Sequence, residues 1–286
     1  MKESAASRLF NSLNAVFLLA LSAITLYPLW HVLTLSFSSK TAALSGGLFF
    51  WPREFTWSAY TNIFGSDYIW TVYGNTIYIT VLGTFLSLFC TAATSYALSK
   101  RTLPLLRTLL VLVLFTMIFS GGMIPTYLVV KELGLLNSHF ALILPNLVSS
   151  FNVIIMLNFI RSIPGEVEES AMIDGANPIQ IFFRIIIPLC KPVLATLALW
   201  IGVYLWNNFL QAFIYLNDKE LATLPLLLRN IIAGQQQFED MGMLADSSTE
   251  SVIAATIIVS VIPIISIYPF LQRFFAKGVM LGSVKS

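Results

Sequence analysis

The sequence predicts an all-α polytopic membrane protein with six transmembrane helices and both termini in the cytoplasm. Three observations carry this expectation. The 286-residue chain is 57% hydrophobic and only 10% charged, with a mean hydropathy of +0.82. A soluble domain carries about 25% charged residues, and a water-soluble core has no room for so much apolar surface. Six runs approach the roughly 20 apolar residues that a helix needs to cross the hydrocarbon core. They lie near 13–35, 72–98, 105–130, 140–160, 192–216 and 252–271, and none holds an acidic residue. The basic residues then divide unevenly between the two sides that these runs define. Lys2, Arg8, Lys100, Arg101, Arg107, Arg161, Arg184, Lys191, Arg273, Lys277 and Lys285 share one side, against Lys40, Arg53, Lys131, Lys219 and Arg229 on the other. Eleven of 16 on the side of the termini make that side cytoplasmic.

The elements follow in order within one membrane domain, 1–286. Lys2, Arg8 and Ala20-Leu21-Ser22 give the first run a passing likeness to a signal peptide. Its apolar stretch continues to Leu35, well beyond the about 7–15 residues of a signal core, so a retained helix is expected. An external loop, 36–71, comes next. Cys90 inside the second run and Cys190 at the edge of the fifth have no disulfide or metal-site spacing and read as packing residues. Arg107 sits at the edge of the third run, where it can snorkel to the interface. Gly121-Gly122 with Pro125 marks a break or kink in that run. The fourth and fifth runs flank a cytoplasmic loop, 161–191. A polar external loop, 217–251, with Gln235-Gln236-Gln237, Glu239 and Asp240, precedes the sixth.

Several function classes fall away. A net charge of +2 with no basic run gives nucleic acid nothing to hold. The absence of Asp and Glu from the runs argues against proton or sodium coupling, although backbone carbonyls at broken helices can bind sodium. Gly-Lys occurs nowhere, so a Walker phosphate loop is impossible. No catalytic or metal-ligating constellation and no cofactor site stands out. Active transport by this chain needs a partner to supply energy.

The loop 161–191 carries the strongest local signal. Pro164 suits a first helical turn, and Glu166, Glu168 and Glu169 favour the positive end of that helix. Gly175 stops the helix, after Asp174. Asn177 reads as an N-cap with Pro178 at the first helical position. Ile179, Phe182, Phe183 and Ile186 then recur as one apolar face, ended by Pro188. Both pieces are too short to span a bilayer. Such a pair serves either to dock a soluble partner or to lie on headgroups, and the carboxylates favour docking over anionic lipid.

Glu169-Ser170-Ala171, Asp174-Gly175-Ala176, Ile185, Ile187 and Pro188 resemble the EAA loop of permease subunits in binding-protein-dependent ABC importers. Ser170 stands for the usual second-position Ala and Ile187 for Leu. Six runs with the loop between the fourth and fifth are similar to the smaller membrane subunit of maltose-type carbohydrate permeases. Phe119-Ser120-Gly121-Gly122-Met123-Ile124-Pro125-Thr126-Tyr127, Leu133-Gly134-Leu135 and Lys277-Gly278-Val279-Met280-Leu281-Gly282 look like a subgroup linked to complex oligosaccharides. The resemblance implies a bacterial plasma-membrane subunit that performs no covalent chemistry. Its expected partners are a second homologous permease, two ATPase subunits that bind the ATP, and an external sugar-binding protein. By the same resemblance Glu169, Ser170, Ala171, Asp174, Gly175 and Ala176 form the ATPase-coupling set. The loop before the sixth run reaches the binding protein, and the tail 277–286 touches the ATPases.

A sugar path needs hydroxyl-matching groups and flat aromatic faces. Tyr204, Asn208, Gln211 and Tyr215 stand at helical spacing in the fifth run and so share one face, next to Trp206 and Asn207. That stripe serves either sugar contact or hydrogen bonding between helices. Asn75, Asn152 and Asn158 are further candidates. A permease for a non-sugar solute and a self-sufficient carrier or channel are the alternative readings.

Overall fold

The computed structural model describes residues 5–233 and 247–278, and every regular element among them is helical. α1 (Ala5–Ser36) leads through α2 (Lys40–Leu44) and α3 (Ser58–Phe64) to α4 (Asp67–Ser99). Next come α5 (Leu106–Ile118), α6 (Met123–Glu132), α7 (Phe140–Ile143) with a 3-10 turn Leu144–Asn146, and α8 (Ser150–Arg161). α9 (Glu166–Ile173), α10 (Pro178–Ile181), a π-turn Phe182–Ile186 and α11 (Ile187–Leu189) lead into α12 (Lys191–Trp206). α13 (Phe209–Tyr215), a 3-10 turn Lys219–Leu221, α14 (Leu224–Ile232) and α15 (Thr249–Gly278) complete the described chain.

Three helices, Ser7–Ser36, Asp67–Ser99 and Thr249–Ile267, are each long and apolar enough to cross a bilayer. Three more stretches qualify only as bent pairs: Leu106–Ile118 with Met123–Glu132 at 114°, Phe140–Asn146 with Ser150–Arg161 at 51°, and Pro178–Leu189 with Lys191–Trp206 at 79°. Half of the expected spans are therefore broken, each for a local reason. Between α5 and α6, Phe119 is extended and Gly122 holds φ +85°. Pro125 falls in the first turn of α6, where its missing N–H costs no helical bond, so glycine rather than proline makes this turn. Pro145 sits in the 3-10 turn and Ser149 is extended, which separates α7 from α8.

The fifth run, expected as one helix over 192–216, stops at Trp206. The Asn207 side chain donates to the Val203 carbonyl at 2.8 Å, and Asn208 (φ −78°, ψ 85°) caps a new helix by accepting from the Gln211 N–H at 3.3 Å. A side-chain amide that offers the backbone an alternative partner interrupts a helix in this way. The run also starts earlier than expected, because its bent pair begins at Pro178, inside the segment read as a loop.

The loops read from the sequence are partly helical as well: 36–71 holds α2, α3 and the first turn of α4, and 217–251 holds α14. Gln235-Gln236-Gln237, Glu239, Asp240 and the tail from Val279 lie outside the described residues.

Two compact units make up the chain, one of Met1–Trp70 with Asn230–Ile262, the other of Thr71–Arg229 with Pro263–Ser286. In the first, the apolar window of α1 is 0% buried. Order concentrates after it, where Phe49, Ala59, Tyr60 and Ile63 are buried. Ser36 shares a 2.8 Å hydrogen bond with Tyr60, and Thr34 donates to the Phe49 carbonyl at 3.2 Å. Buried hydroxyls that bond nearby carbonyls meet the rule that interior polar groups be paired.

In the second unit the core gathers Tyr96, Met156, Ile160, Ala171, Ile181, Phe182, Ile186, Cys190 and Leu197. A smaller cluster sets Leu106, Leu110 and Val113 of α5 against Val153 and Leu157 of α8. These α5 positions follow at i, i+4 and i+7, one narrow stripe. No α5 residue is fully buried, which suits a helix that turns its remaining faces to lipid.

Candidate functional site

The loop 161–191 folds as a hairpin of helices fixed by three local devices. α9 begins after Gly165 with Glu166, Glu168 and Glu169 in its first turn. It ends in a Schellman motif: the Ala176 N–H donates to the Ala171 carbonyl at 2.9 Å and the Gly175 N–H to that of Met172 at 3.0 Å. Gly175 holds φ +82°, and a Cβ there would meet nothing within 4 Å, so the backbone angle and not space calls for glycine. Asn177 then starts α10 with a full capping box, accepting from the Gln180 N–H at 2.9 Å while its own N–H donates to the Gln180 side chain at 2.9 Å.

The third device is the π-turn. Pro188 has no N–H to give the Arg184 carbonyl and its ring would crowd that group; the wide turn Phe182–Ile186 accommodates both. This turn redistributes the apolar face expected from the sequence. Ile181, Phe182 and Ile186 are buried, while Ile179 is 68% exposed and Phe183 52%.

Ala171 is the buried residue of α9 and packs into the chain's own core with Tyr96 and Phe182, so its small side chain serves an inward approach. Ala176 packs half-buried against the same core. The Ser170 hydroxyl donates to the Glu166 carbonyl at 2.8 Å, within its own helix. Glu169, Asp174 and Gly175 are exposed. Beside them stand two side chains that the sequence reading passed over, Met172 (52% exposed) and Ile173 (86%). An apolar tip ringed by carboxylates is therefore what the hairpin presents.

The hairpin is also tied to the end of α4. Lys100 pairs with Glu168, and its ammonium lies 4.1 Å from the Tyr96 ring centroid. Arg161 donates to the Leu98 carbonyl at 3.2 Å. Partial burial would lower the Lys100 pKa, but its bonds to Glu168 and Tyr96 outweigh that and raise it above the ordinary value.

The polar residues of the fifth run do not share one helix face. Tyr204 (α12), Asn208 (the cap) and Gln211 (α13) gather about Asn146, which the sequence reading did not single out. Asn146 donates to the Gln211 side-chain oxygen at 2.6 Å and accepts from the Tyr204 hydroxyl at 3.1 Å and from the Gln211 amide at 3.4 Å. Asn208 donates to the same Gln211 oxygen at 2.6 Å. Tyr215 stands apart, 2% exposed, with its ring stacked on Tyr127. Asn75 donates to the carbonyls of Glu220 and Ala222 and so holds the segment before α14 in place. The one signal for Asn146 was an amide directly after Pro145 in an apolar run that also holds Asn152 and Asn158. Its partner lies 65 residues away, beyond the reach of any local pattern.

Comparison with known proteins agrees with this architecture. The family described as "Binding-protein-dependent transport system inner membrane component" matches residues 96–281. The chain is 43% identical over 283 residues to the polygalacturonan/rhamnogalacturonan transport system permease protein YtcP of Bacillus subtilis (strain 168), covering 98% of this chain and 99% of that one. It is 41% identical over 288 residues to protein LplC of the same organism, covering 100% and 98%. Among solved structures, a chain of a bacterial ABC transporter involved in the import of the acidic polysaccharide alginate matches with a TM-score of 0.90 at 35% identity, covering 96% of this chain and 99% of that one.

Proposed function

The chain belongs to the family of binding-protein-dependent transport system inner membrane components, and from that premise we propose that it is the permease subunit of an ATP-driven importer for oligosaccharides. It is a multi-pass inner-membrane protein that works in transport, not in covalent catalysis. In this reading a second, homologous permease completes the path, two ATPase subunits bind the ATP, and an external binding protein delivers the saccharide. The chain needs no cofactor of its own.

The hairpin 161–191 is the coupling element on the cytoplasmic side. The observation that carries this role is the exposed tip: Ile173 and Met172 bare beside Glu169 and Asp174, with Ala171 and Ala176 seated in the core behind them. An exposed apolar group ringed by charge suits the core and rim of a protein contact. The turn at Gly175 sets the angle of that tip, and the ion pair from Lys100 to Glu168 carries its displacement to α4. Saccharide cargo is supported by the relatives, whose names concern polygalacturonan, rhamnogalacturonan and alginate. On the path, Tyr204 offers an exposed ring edge, with Asn146, Asn208 and Gln211 holding it in place.

The test reconstitutes the chain with its membrane and ATPase partners in vesicles and follows uptake of labelled trigalacturonate and arabinotriose. Uptake that requires both internal ATP and the binding protein is the expected result. Uptake by this chain alone, driven by an ion gradient, would refute the proposal.

A further inference from the structure

A cavity of about 450 Å³ lies between α8 and α12, beside the amide cluster. That is within the roughly 300–1,000 Å³ range of small-molecule sites. Its wall is aromatic: the rings of Phe151 and Trp200 stack at 5.8 Å and 29°, and both are nearly half exposed. Tyr204 forms the rim, held by its bond to Asn146. Asn152 lines the cavity half-buried, and among the described residues its side-chain amide has no hydrogen-bond partner. The Trp200 indole N–H is likewise undonated.

An unpartnered amide within a membrane helix is costly against hydrocarbon, so this wall faces water, a ligand or a neighbouring polypeptide, and the open cavity in front of it favours the first two. The groups present select the ligand. A flat apolar face suits the C–H face of a pyranose ring, and an amide that both donates and accepts suits hydroxyls that do the same. No charged side chain lines the cavity, so it offers a carboxylate no counter-charge.

Resting on the oligosaccharide reading above, we propose that Trp200, Phe151 and Asn152 form a sugar-ring subsite in this subunit that takes the uncharged face of a pyranose. The carboxylates of an acidic saccharide are then met by groups outside this cavity. Asn146 of the amide cluster also lines the cavity and positions Tyr204 beside it.

The test measures ATP-dependent uptake of trigalacturonate and of galactotriose, its uncharged pyranose counterpart, by the reconstituted complex, at saturating binding protein, for variants that assemble as the wild type does. Trp200→Leu and Asn152→Leu are each expected to lower the rate about tenfold, the loss of one stacking or paired-amide contact. Trp200→Phe, which keeps a flat ring, is expected to retain the rate within about twofold. Full uptake by either leucine variant overturns the subsite, and so does a Trp200→Phe variant as slow as Trp200→Leu. A loss much larger for trigalacturonate than for galactotriose overturns its uncharged character. A wild-type complex that takes up neither probe overturns the carbohydrate reading and this inference with it. Normal wild-type uptake with unaffected variants overturns the subsite alone.

Discussion

The hairpin 161–191 and the cluster around Asn146 both place polar groups in an apolar chain, yet they are held in opposite ways. In the hairpin, the Schellman motif and the capping box close over three to five residues. In the cluster, the decisive bonds join residues 58 and 65 apart. The hairpin therefore carries its own shape and exposes it, with one ion pair tying it to α4. The cluster has no shape until α7, α12 and α13 are in place. On the coupling proposal, the part that moves against a partner is the one built from local rules, and the part that stays still is the one built from distant ones.

The largest test of this contrast is Gly175→Pro. Proline cannot hold φ +82° and loses the N–H that reaches Met172, a penalty of about 3 kcal/mol or more at the turn. ATP-dependent uptake is expected to vanish while membrane fractionation still finds the chain inserted. Retained uptake would remove the hairpin from the coupling role.

Asn146→Leu should act on stability. It leaves the Gln211 and Tyr204 groups without their partner, a cost of about 1–3 kcal/mol. The thermal midpoint in mild detergent should fall by about 2–4 °C per kcal/mol. The double variant Asn146→Leu/Gln211→Leu should lose less than the sum of the two single losses; strict additivity would mean that the two amides are not coupled.

Lys100→Met tests the ion pair that ties the hairpin to the end of α4. Hydrogen exchange of the α9 amides should speed up about threefold, as befits a partly exposed pair. The pH dependence has a definite sign. Lys100 has a folded pKa above its ordinary value of 10.5, so its contribution is complete below that pH and is lost as pH rises through the folded value. The gap in thermal midpoint between wild type and Lys100→Met should stay level from neutral pH to about 10 and close above it. A gap that closes below neutral pH would point to a different group.

The smallest effect belongs to Ser170→Ala. The hydroxyl already bonds its own helix, so uptake should stay within about twofold and α9 should gain a few tenths of a kcal/mol in helix propensity. A large loss would mean that the hydroxyl leaves Glu166 to meet a partner.

The same division explains what the sequence disclosed. Composition and run length made the helical membrane character plain. Gly175 and Asn177 declared the hairpin turns because the motifs that need them close within a few residues. The exposed side of the hairpin was harder to see. Ile179 and Phe183 shared a 3.6-residue period with Phe182 and Ile186, but the π-turn forced by Pro188 changed the period midway. Tyr204 and Gln211 stood out as polar residues in an apolar run, while the break at Asn207 and the pairing with Asn146 needed the fold. Tyr215 fitted the spacing and went elsewhere, because that break shifts every later residue off the face of α12.

The 114° turn between α5 and α6 has a consequence for hydration. α5 has 13 residues and is therefore about 20 Å long, short of the roughly 30 Å hydrocarbon thickness. With Arg107 at one interface, Phe119–Gly122 leaves helical geometry within the depth of the bilayer, and all four residues are exposed in this chain. Peptide groups without helical partners do not persist against lipid tails. Water or a neighbouring polypeptide must therefore cover Ser120 and Gly121 in the working assembly, and a solvent-accessibility label placed there would report a wet or protein-covered point inside an otherwise dry slab.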